Sequence, residues 1–284
     1  MPRGYVVCEP PTLSGVNDLD PGALRTVYDA QLRAWMPERL PPEATVETDG
    51  PLIRLTGLDR RGFVTYRSLD GVTGAELDAL IARQRDFYAA RGEAIEWKLH
   101  GHDLPEDLPV RLRAAGFEPE EQETVVIGLA APLAADTSVP AGVGLREVTA
   151  RTDLDRIAAM ETAVWGEDRF FLAESLEKEL AADPSGTTVV VAEAGPDVVC
   201  AGWIRFIEGT AFASLWGGST LPDWRGRGIY KAVVRYRAAL AVARGFTYLQ
   251  VDASDDSRPI LQRCGFVAVT TTTPYVYTPR RPLS

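Results

Sequence analysis

Between an apolar run, Ala211 to Leu221, and an amphipathic one, Ile229 to Ala243, the chain reads Arg225-Gly226-Arg227-Gly228-Ile229-Tyr230. That order predicts a strand, a glycine-rich turn and the first turn of a helix. Such a turn aims several backbone N–H groups at one point, at the positive end of a helix dipole, where a phosphate or pyrophosphate fits. Two arginines within it add charge-assisted donors. The turn lacks the Gly-Lys-Ser/Thr ending of a Walker loop. It also lacks the third glycine of the dinucleotide fingerprint, since Lys231 stands in that place. An ordinary strand-to-helix turn with solvated arginines is the competing reading of these six residues.

The spacing after the turn narrows the choice. Ile229, Ala232, Val233, Tyr236, Leu240 and Ala243 fall at helical intervals, and Gly245 stands where a helix would end. A strand (Phe246 to Val251), a polar loop (Asp252 to Ser257), a short helix (Pro259 to Cys264), Gly265-Phe266 and a β-rich tail (Val267 to Tyr277) follow. Upstream, Leu145 to Val148 reads as a strand, Asp153 to Trp165 and Phe171 to Ala182 as helices, and Thr187 to Ala194 with Val198 to Ile207 as a hairpin turning at Gly195-Pro196-Asp197. The motif Arg-x-x-Gly-x-(Gly/Ala), in this order of elements, resembles the coenzyme A loop of the GNAT superfamily of N-acetyltransferases. The resemblance covers about residues 142–278. It departs from the pattern at Tyr230, where Gly or Ala is usual.

The first half echoes the second. Ala90-Arg91-Gly92 and Ala243-Arg244-Gly245 each close a helix, a strand follows each, and a short helix then ends in Gly116-Phe117 or Gly265-Phe266. From Gly92 to Gly116 is 24 residues and from Gly245 to Gly265 is 20, the surplus lying in the loop around Pro105. Thr124 to Leu129 matches the final strand. The expected fold class is therefore α/β (α+β): two tandem GNAT-like domains, each a mixed central sheet flanked by helices. Residues 1–130 form a degenerate, non-catalytic copy, 142–284 an acetyl-coenzyme A-binding domain, and Ala130 to Gly142 a linker. In the first copy Leu69 to Gly74 stands where the phosphate turn should be; it has no arginine, and Asp70 would repel a pyrophosphate. Early helices are hard to find before Ala44, and the stretch from Asp18 to Pro21 reads as loop.

Composition places the chain among soluble globular proteins: 45% hydrophobic residues and a net charge of −10. No run of about 18 apolar residues indicates a membrane span, and Met1 to Pro11 lacks the form of a signal peptide. Three widely spaced cysteines fit a reducing cytoplasm. A pI near 4.9 argues against nucleic acid as partner and is compatible with a cationic acceptor. The expected partner is a small-molecule amine, with no membrane involved and the protein a monomer or homodimer.

The resemblance also implies site residues. The backbone of Arg227 to Tyr230, with Gly226 and the side chains of Arg225 and Arg227, would take the pyrophosphate of acetyl-coenzyme A. Ser219, Thr220 and Leu221 would bond the pantetheine arm, and Ser254 or Ser257 would replace an asparagine that many members use. The tyrosine that often protonates the departing thiolate is absent, because Leu261 holds its position. Tyr230, Tyr275 and Tyr277 are the candidates to replace it, with Cys264 nearby in sequence. Glu167, Asp168 and Glu208 are candidate bases, and Trp165 and Trp216 candidate pocket walls. His100-x-His102-Asp103 reads as a hydrogen-bonded loop; no third metal ligand with recognisable spacing follows it, and no metal is expected. A non-catalytic acyl-coenzyme A sensor, transfer of a longer acyl group, and a hydroxyl acceptor stay open as alternatives.

Overall fold

The computed structural model describes residues 19–279 except 59 and 70, so the reading of Asp70 and that of the first residues lie outside the described ones. In chain order the elements are α1 (Pro21–Gln31), β1 (Thr45–Asp49), β2 (Leu52–Thr56), β3 (Gly62–Tyr66), α2 (Gly74–Ala90), β4 (Ile95–His100), α3 (Leu108–Ala114), β5 (Glu118–Pro119) and β6 (Glu123–Leu129). Then come α4 (Ala130–Ala134), β7 (Gly144–Val148), α5 (Arg151–Trp165), α6 (Phe171–Ala182), β8 (Thr187–Ala194), β9 (Asp197–Phe206), β10 (Phe212–Thr220), α7 (Ile229–Ala243), β11 (Tyr248–Ala253), α8 (Arg258–Arg263) and β12 (Val267–Tyr277).

The repeat is visible in its punctuation. Gly116 and Gly265 both take φ above 90°, and the residue after each donates back to the helix, Phe117 to Leu112 and Phe266 to Leu261. This is one and the same helix-ending motif, which glycine alone adopts without strain. Both phenylalanines are buried. The closing strand β12 follows directly on Gly265-Phe266, and β6 follows Gly116-Phe117 after the short β5.

Those two strands join the halves. The sheet runs β1-β2-β3-β4-β12-β6-β11-β10-β9-β8-β7, with β5 alongside β12. The closing strand of each half is therefore inserted beside the other half's central strand. Thr272 to Tyr277 of β12 pair with His100 to Ile95 of β4, and Ala253 to Tyr248 of β11 pair with Thr124 to Leu129 of β6. The halves share one mixed sheet rather than meeting across helices. Helices α2, α3, α4, α7 and α8 cover one face. The other carries α5 and α6 on the C-terminal half and α1 over the junction.

Two expectations change here. Asp20 and Pro21 are not loop but the cap and first residue of α1: the Asp20 carboxylate accepts from Ala23 N–H at 2.7 Å, and proline suits a position whose N–H is unneeded. Leu24 and Tyr28 of α1 pack on Val125 and Ile127 of β6 and on Phe212 and Tyr248 of β10 and β11, so this helix is an N-terminal element seated on C-terminal strands. The expected linker begins as α4, with Ala130 and Leu133 buried against the layer of α7. Asp136 then pairs with Arg235 of α7 at 2.7 Å.

The motif His100-x-His102-Asp103 is consumed in holding α1. The His100 ring bonds the Tyr28 hydroxyl at 3.0 Å, Asp103 accepts from Arg33 and from the Tyr66 hydroxyl, and His102 lies between Asp29 and Thr270. Beside them Lys98 of β4 pairs with Asp252 of β11, across both exchanged strands. Glu123 shares this face, and burial plus the nearby Asp252 charge push its carboxyl up to about 7. A carboxyl raised in the folded state contributes stability below its unfolded pKa of 4.5 and loses it as pH rises through about 7. Glu123→Gln is thus expected to match the wild type at pH 4 and to exceed it by about 2 kcal/mol at pH 8. Chemical denaturation at both pH values checks this, and an unchanged pH slope refutes it.

Candidate active site

Strands β10 and β11 run parallel but pair only from Phe212–Tyr248 to Ser214–Gln250. Beyond that point they part. β10 continues through a bulge, its register against β9 shifting between Gly217 and Ser219. The gap between the diverging strands is the centre of the site.

The bulge is built by residues that sequence inspection passes over. Gly217 and Gly218 both take positive φ, and a Cβ on either would collide, with the Trp203 ring at 2.4 Å or the Tyr230 ring at 2.6 Å. Arg237 of α7, fully buried, donates to Trp203 O at 3.0 Å and Trp216 O at 2.9 Å. Burial lowers its pKa, yet two carbonyl acceptors satisfy the charge that water would otherwise solvate. A cation on the buried face of an amphipathic helix was the available signal for it.

Past the bulge the strand's bonding is settled. Leu221 N–H donates to Val199 O at 3.0 Å, so it is committed to β9 and does not serve the pantetheine arm as expected. By strand alternation Thr220 turns its N–H and C=O to the opposite edge, toward the gap. Its carbonyl takes Arg225 Nε at 3.1 Å, which leaves the N–H. Ser219 points to the α5 face.

The turn then wraps the start of α7. Gly226 and Gly228 have φ of 73° and 82°, conformations that favour glycine. Among the described residues no protein acceptor faces the N–H groups of Gly226 to Lys231. Arg227 donates to Asp223 O at 2.9 Å and stacks over Trp224, and neither Arg225 nor Arg227 has a carboxylate partner among the described residues. Six consecutive N–H groups without a protein acceptor among the described residues, and two guanidinium groups without a carboxylate, thus gather at the positive end of a helix dipole. Across the gap, Ser254 and Ser257 bond each other at the start of α8. They form the other lip of the site.

The acetyltransferase (GNAT) family model matches residues 153–266, a span that holds this turn, the bulge and both lips. Residues 153–266 carry a GNAT acetyltransferase domain. Solved structures agree in fold. A GCN5-related N-acetyltransferase from Kribbella flavida superposes with a TM-score of 0.60 at 17% identity, over 85% of this chain and 91% of that one. A tandem GNAT protein from the clavulanic acid biosynthesis pathway does so with 0.58 at 15% identity, over 84% of each chain. A functionally unknown conserved protein from Staphylococcus epidermidis ATCC 12228 gives 0.61 at 13% identity, over 84% and 95%. No functionally curated protein matches the chain in sequence.

Around the GNAT loop the expected acid and base candidates separate. Tyr275 is 3% exposed and packs in the core of the N-terminal half, paired with Trp97 of β4. Strand exchange carries it away from the gap, and Tyr277 goes with it. Glu167 projects into solvent with Arg169 at 3.5 Å, Asp168 accepts from Phe170 N–H before α6, and Glu208 lies in the turn at the far end of β10. Among the described residues none of these three carboxylates bonds a residue of β10 or β11. The Tyr230 ring rests on Gly218 of β10 and packs against the cluster that contains Leu261, the position of the missing family tyrosine. Burial pushes its hydroxyl up to about 12, so at neutral pH it is a proton donor and not a base.

A carboxylate that the sequence reading missed stands on the opposite face of the gap. Glu161 of α5 is 5% exposed. Its Oε2 accepts from the Ser219 hydroxyl and from Trp165 Nε1, both at 2.8 Å. Its Oε1 is buried with no hydrogen-bond partner among the described residues. Burial raises its pKa, opposed by those two hydrogen bonds and by the Arg169 charge. The signal was present in the sequence: Leu154, Ile157, Ala158, Glu161 and Trp165 form one helical stripe, and an acid in an apolar stripe is out of place. Trp165 and Trp216, about half exposed, flank Ser219 and the bulge.

Proposed function

We propose that the protein transfers an acetyl group from acetyl-coenzyme A to a primary amine of a small molecule, in its C-terminal half. The observation that carries this reading is the pairing of a donor-rich helix start with two parallel strands that part beside it. The first suits a pyrophosphate, and the second admits a narrow arm between strand edges. The Thr220 N–H, on the gap edge of β10, is a donor for that arm. Polarising the thioester carbonyl requires a fixed donor where negative charge develops, and a bulge held by Arg237 supplies rigid backbone there. Tyr230, protonated and beside the gap, is placed to give a proton to the departing thiolate. Arg225 and Arg227 bear on the phosphates. Ser254 and Ser257 close the far lip. Residues 19–130 contribute no second cradle: the turn before α2 has no arginine, and their closing strand completes the catalytic half's sheet.

The rival reading, a module that holds an acyl-coenzyme A without turnover, draws on Leu261 alone. Release of free thiol from acetyl-coenzyme A separates the two. With a panel of primary amines (an alkyl diamine, an amino sugar, an aryl alkylamine) we expect amine-dependent release and an acetylated product by mass spectrometry. Tight calorimetric binding with no release for any amine selects the rival, and absence of binding overturns both.

A further inference from the structure

We propose that Glu161 receives the acceptor: its free carboxylate oxygen, Oε1, holds the incoming ammonium group and takes its proton, making Glu161 the general base of the transfer. This rests on the acetyltransferase reading above and adds a residue and a direction of approach.

The sheet has two faces at the gap. Ile229 and Val233 of α7 pack on Val190, Ala192, Val199 and Cys200, whereas α5 packs on the alternate residues Val189, Val191, Ala201 and Trp203. The phosphate cradle and Glu161 therefore lie on opposite faces. An arm anchored at the start of α7 and threaded between β10 and β11 emerges on the α5 face, beside Ser219. There, among the described residues, the only carboxylate bonded to β10 is that of Glu161, through Ser219 just past the bulge.

Its bonding is half complete. Two donors converge on Oε2 and none on Oε1 among the described residues. A buried carboxylate oxygen without a donor costs free energy. An ammonium group brings three donors and the compensating charge. Beside it Trp165, bonded through Nε1 to the same carboxylate, and Trp216 present exposed aromatic surface, each with one guanidinium over its ring, Arg169 at 5.4 Å and Arg205 at 4.3 Å.

The step balances. The ammonium group gives one proton to Oε1 and becomes a neutral amine. Its lone pair forms the C–N bond at the thioester carbonyl carbon, and the C–S bond breaks with its electrons on sulfur. The second proton of nitrogen passes to that thiolate, with Tyr230 placed to relay it. The amide keeps the third, and Glu161 releases its proton to solvent. One ammonium and one thioester yield one amide, one thiol and one proton.

Glu161→Gln is the decisive variant, because the Gln carbonyl can still accept from Ser219 and Trp165 yet cannot take a proton. We expect coenzyme A affinity within twofold of wild type and an unchanged melting temperature. We expect kcat to fall roughly a hundredfold or more, with loss of the acidic limb of the pH–rate profile. Ser219→Ala removes one bond that favours the ionised carboxyl, so its acidic limb should move to higher pH. In a complex with coenzyme A, the best amine of the panel should perturb Trp165 emission in the wild type and not in Glu161→Gln. Near-wild-type rates with the limb intact, or a loss that tracks cofactor affinity and stability, overturn the assignment while the acetyltransferase reading stands. If the wild type releases no thiol with any amine, both fall.

Discussion

Ending the chain after Phe266 should unfold both halves, not only the one that is shortened. The deletion removes β12, which lies between β4 and β6 and closes the N-terminal core. Tyr275 is buried among Trp97, Leu112 and Phe117 in that core, and Tyr277 packs beside it. Six backbone pairs with β4 and five with β6 go as well. Burying a large apolar side chain contributes about 1.5–3 kcal/mol. Losing even a few such groups removes a large part of the roughly 5–15 kcal/mol that holds a domain folded. The isolated fragment 1–130 faces the same deficit, since β4 and β6 have no strand to join them. We expect neither piece to show a cooperative thermal transition by circular dichroism. The full chain should show one transition rather than two. A monomeric 1–130 fragment that melts cooperatively would refute the account.

The same exchange explains which parts of this molecule the sequence disclosed. Local grammar was legible. Phe171 to Ala182, Thr187 to Ala194 and Val267 to Tyr277 coincide with α6, β8 and β12, because helical period, alternation and glycine punctuation are properties of neighbouring residues. The repeat was legible for the same reason: Gly116-Phe117 and Gly265-Phe266 make identical caps. What the spacing did not encode was which half each closing strand joins. Val267 to Tyr277 has the same alternation whether β4 or β11 lies beside it, and register across 170 residues leaves no local mark. Tyr275 was misplaced on that account. Asp20-Pro21 was misread because a proline after an acid marks both turns and helix starts. Glu161 needed a different question, namely which polar residue sits on an apolar stripe.

Within the GNAT domain, Gly228→Asp should reduce coenzyme A affinity about a thousandfold beyond the loss in Gly228→Ala, a control that separates charge from strain. Gly228 sits at φ of 82° at the head of α7. Any β-carbon there costs roughly 1–2 kcal/mol of backbone strain. Space itself is available, since a Cβ would meet only Pro140 at 3.9 Å, an ordinary contact. Gly228→Ala therefore reports strain alone and should weaken binding about tenfold or less. The aspartate adds a negative charge a few ångströms from the pyrophosphate. At an effective dielectric near 20, two like charges about 4 Å apart repel by about 4 kcal/mol, which is close to three decades of affinity. Arg225→Ala removes one cation while leaving the backbone donors, and should fall between the two. The corresponding change in the first half, Gly71→Asp, should leave affinity unaltered. Its turn also takes positive φ, 79°, with open space at the β-carbon, so any difference between the two positions reflects the ligand and not the glycine. Calorimetric titration of coenzyme A into the four variants ranks them. Equal affinities for Gly228→Asp and Gly71→Asp would mean that the helix start at residue 229 does not hold the phosphates.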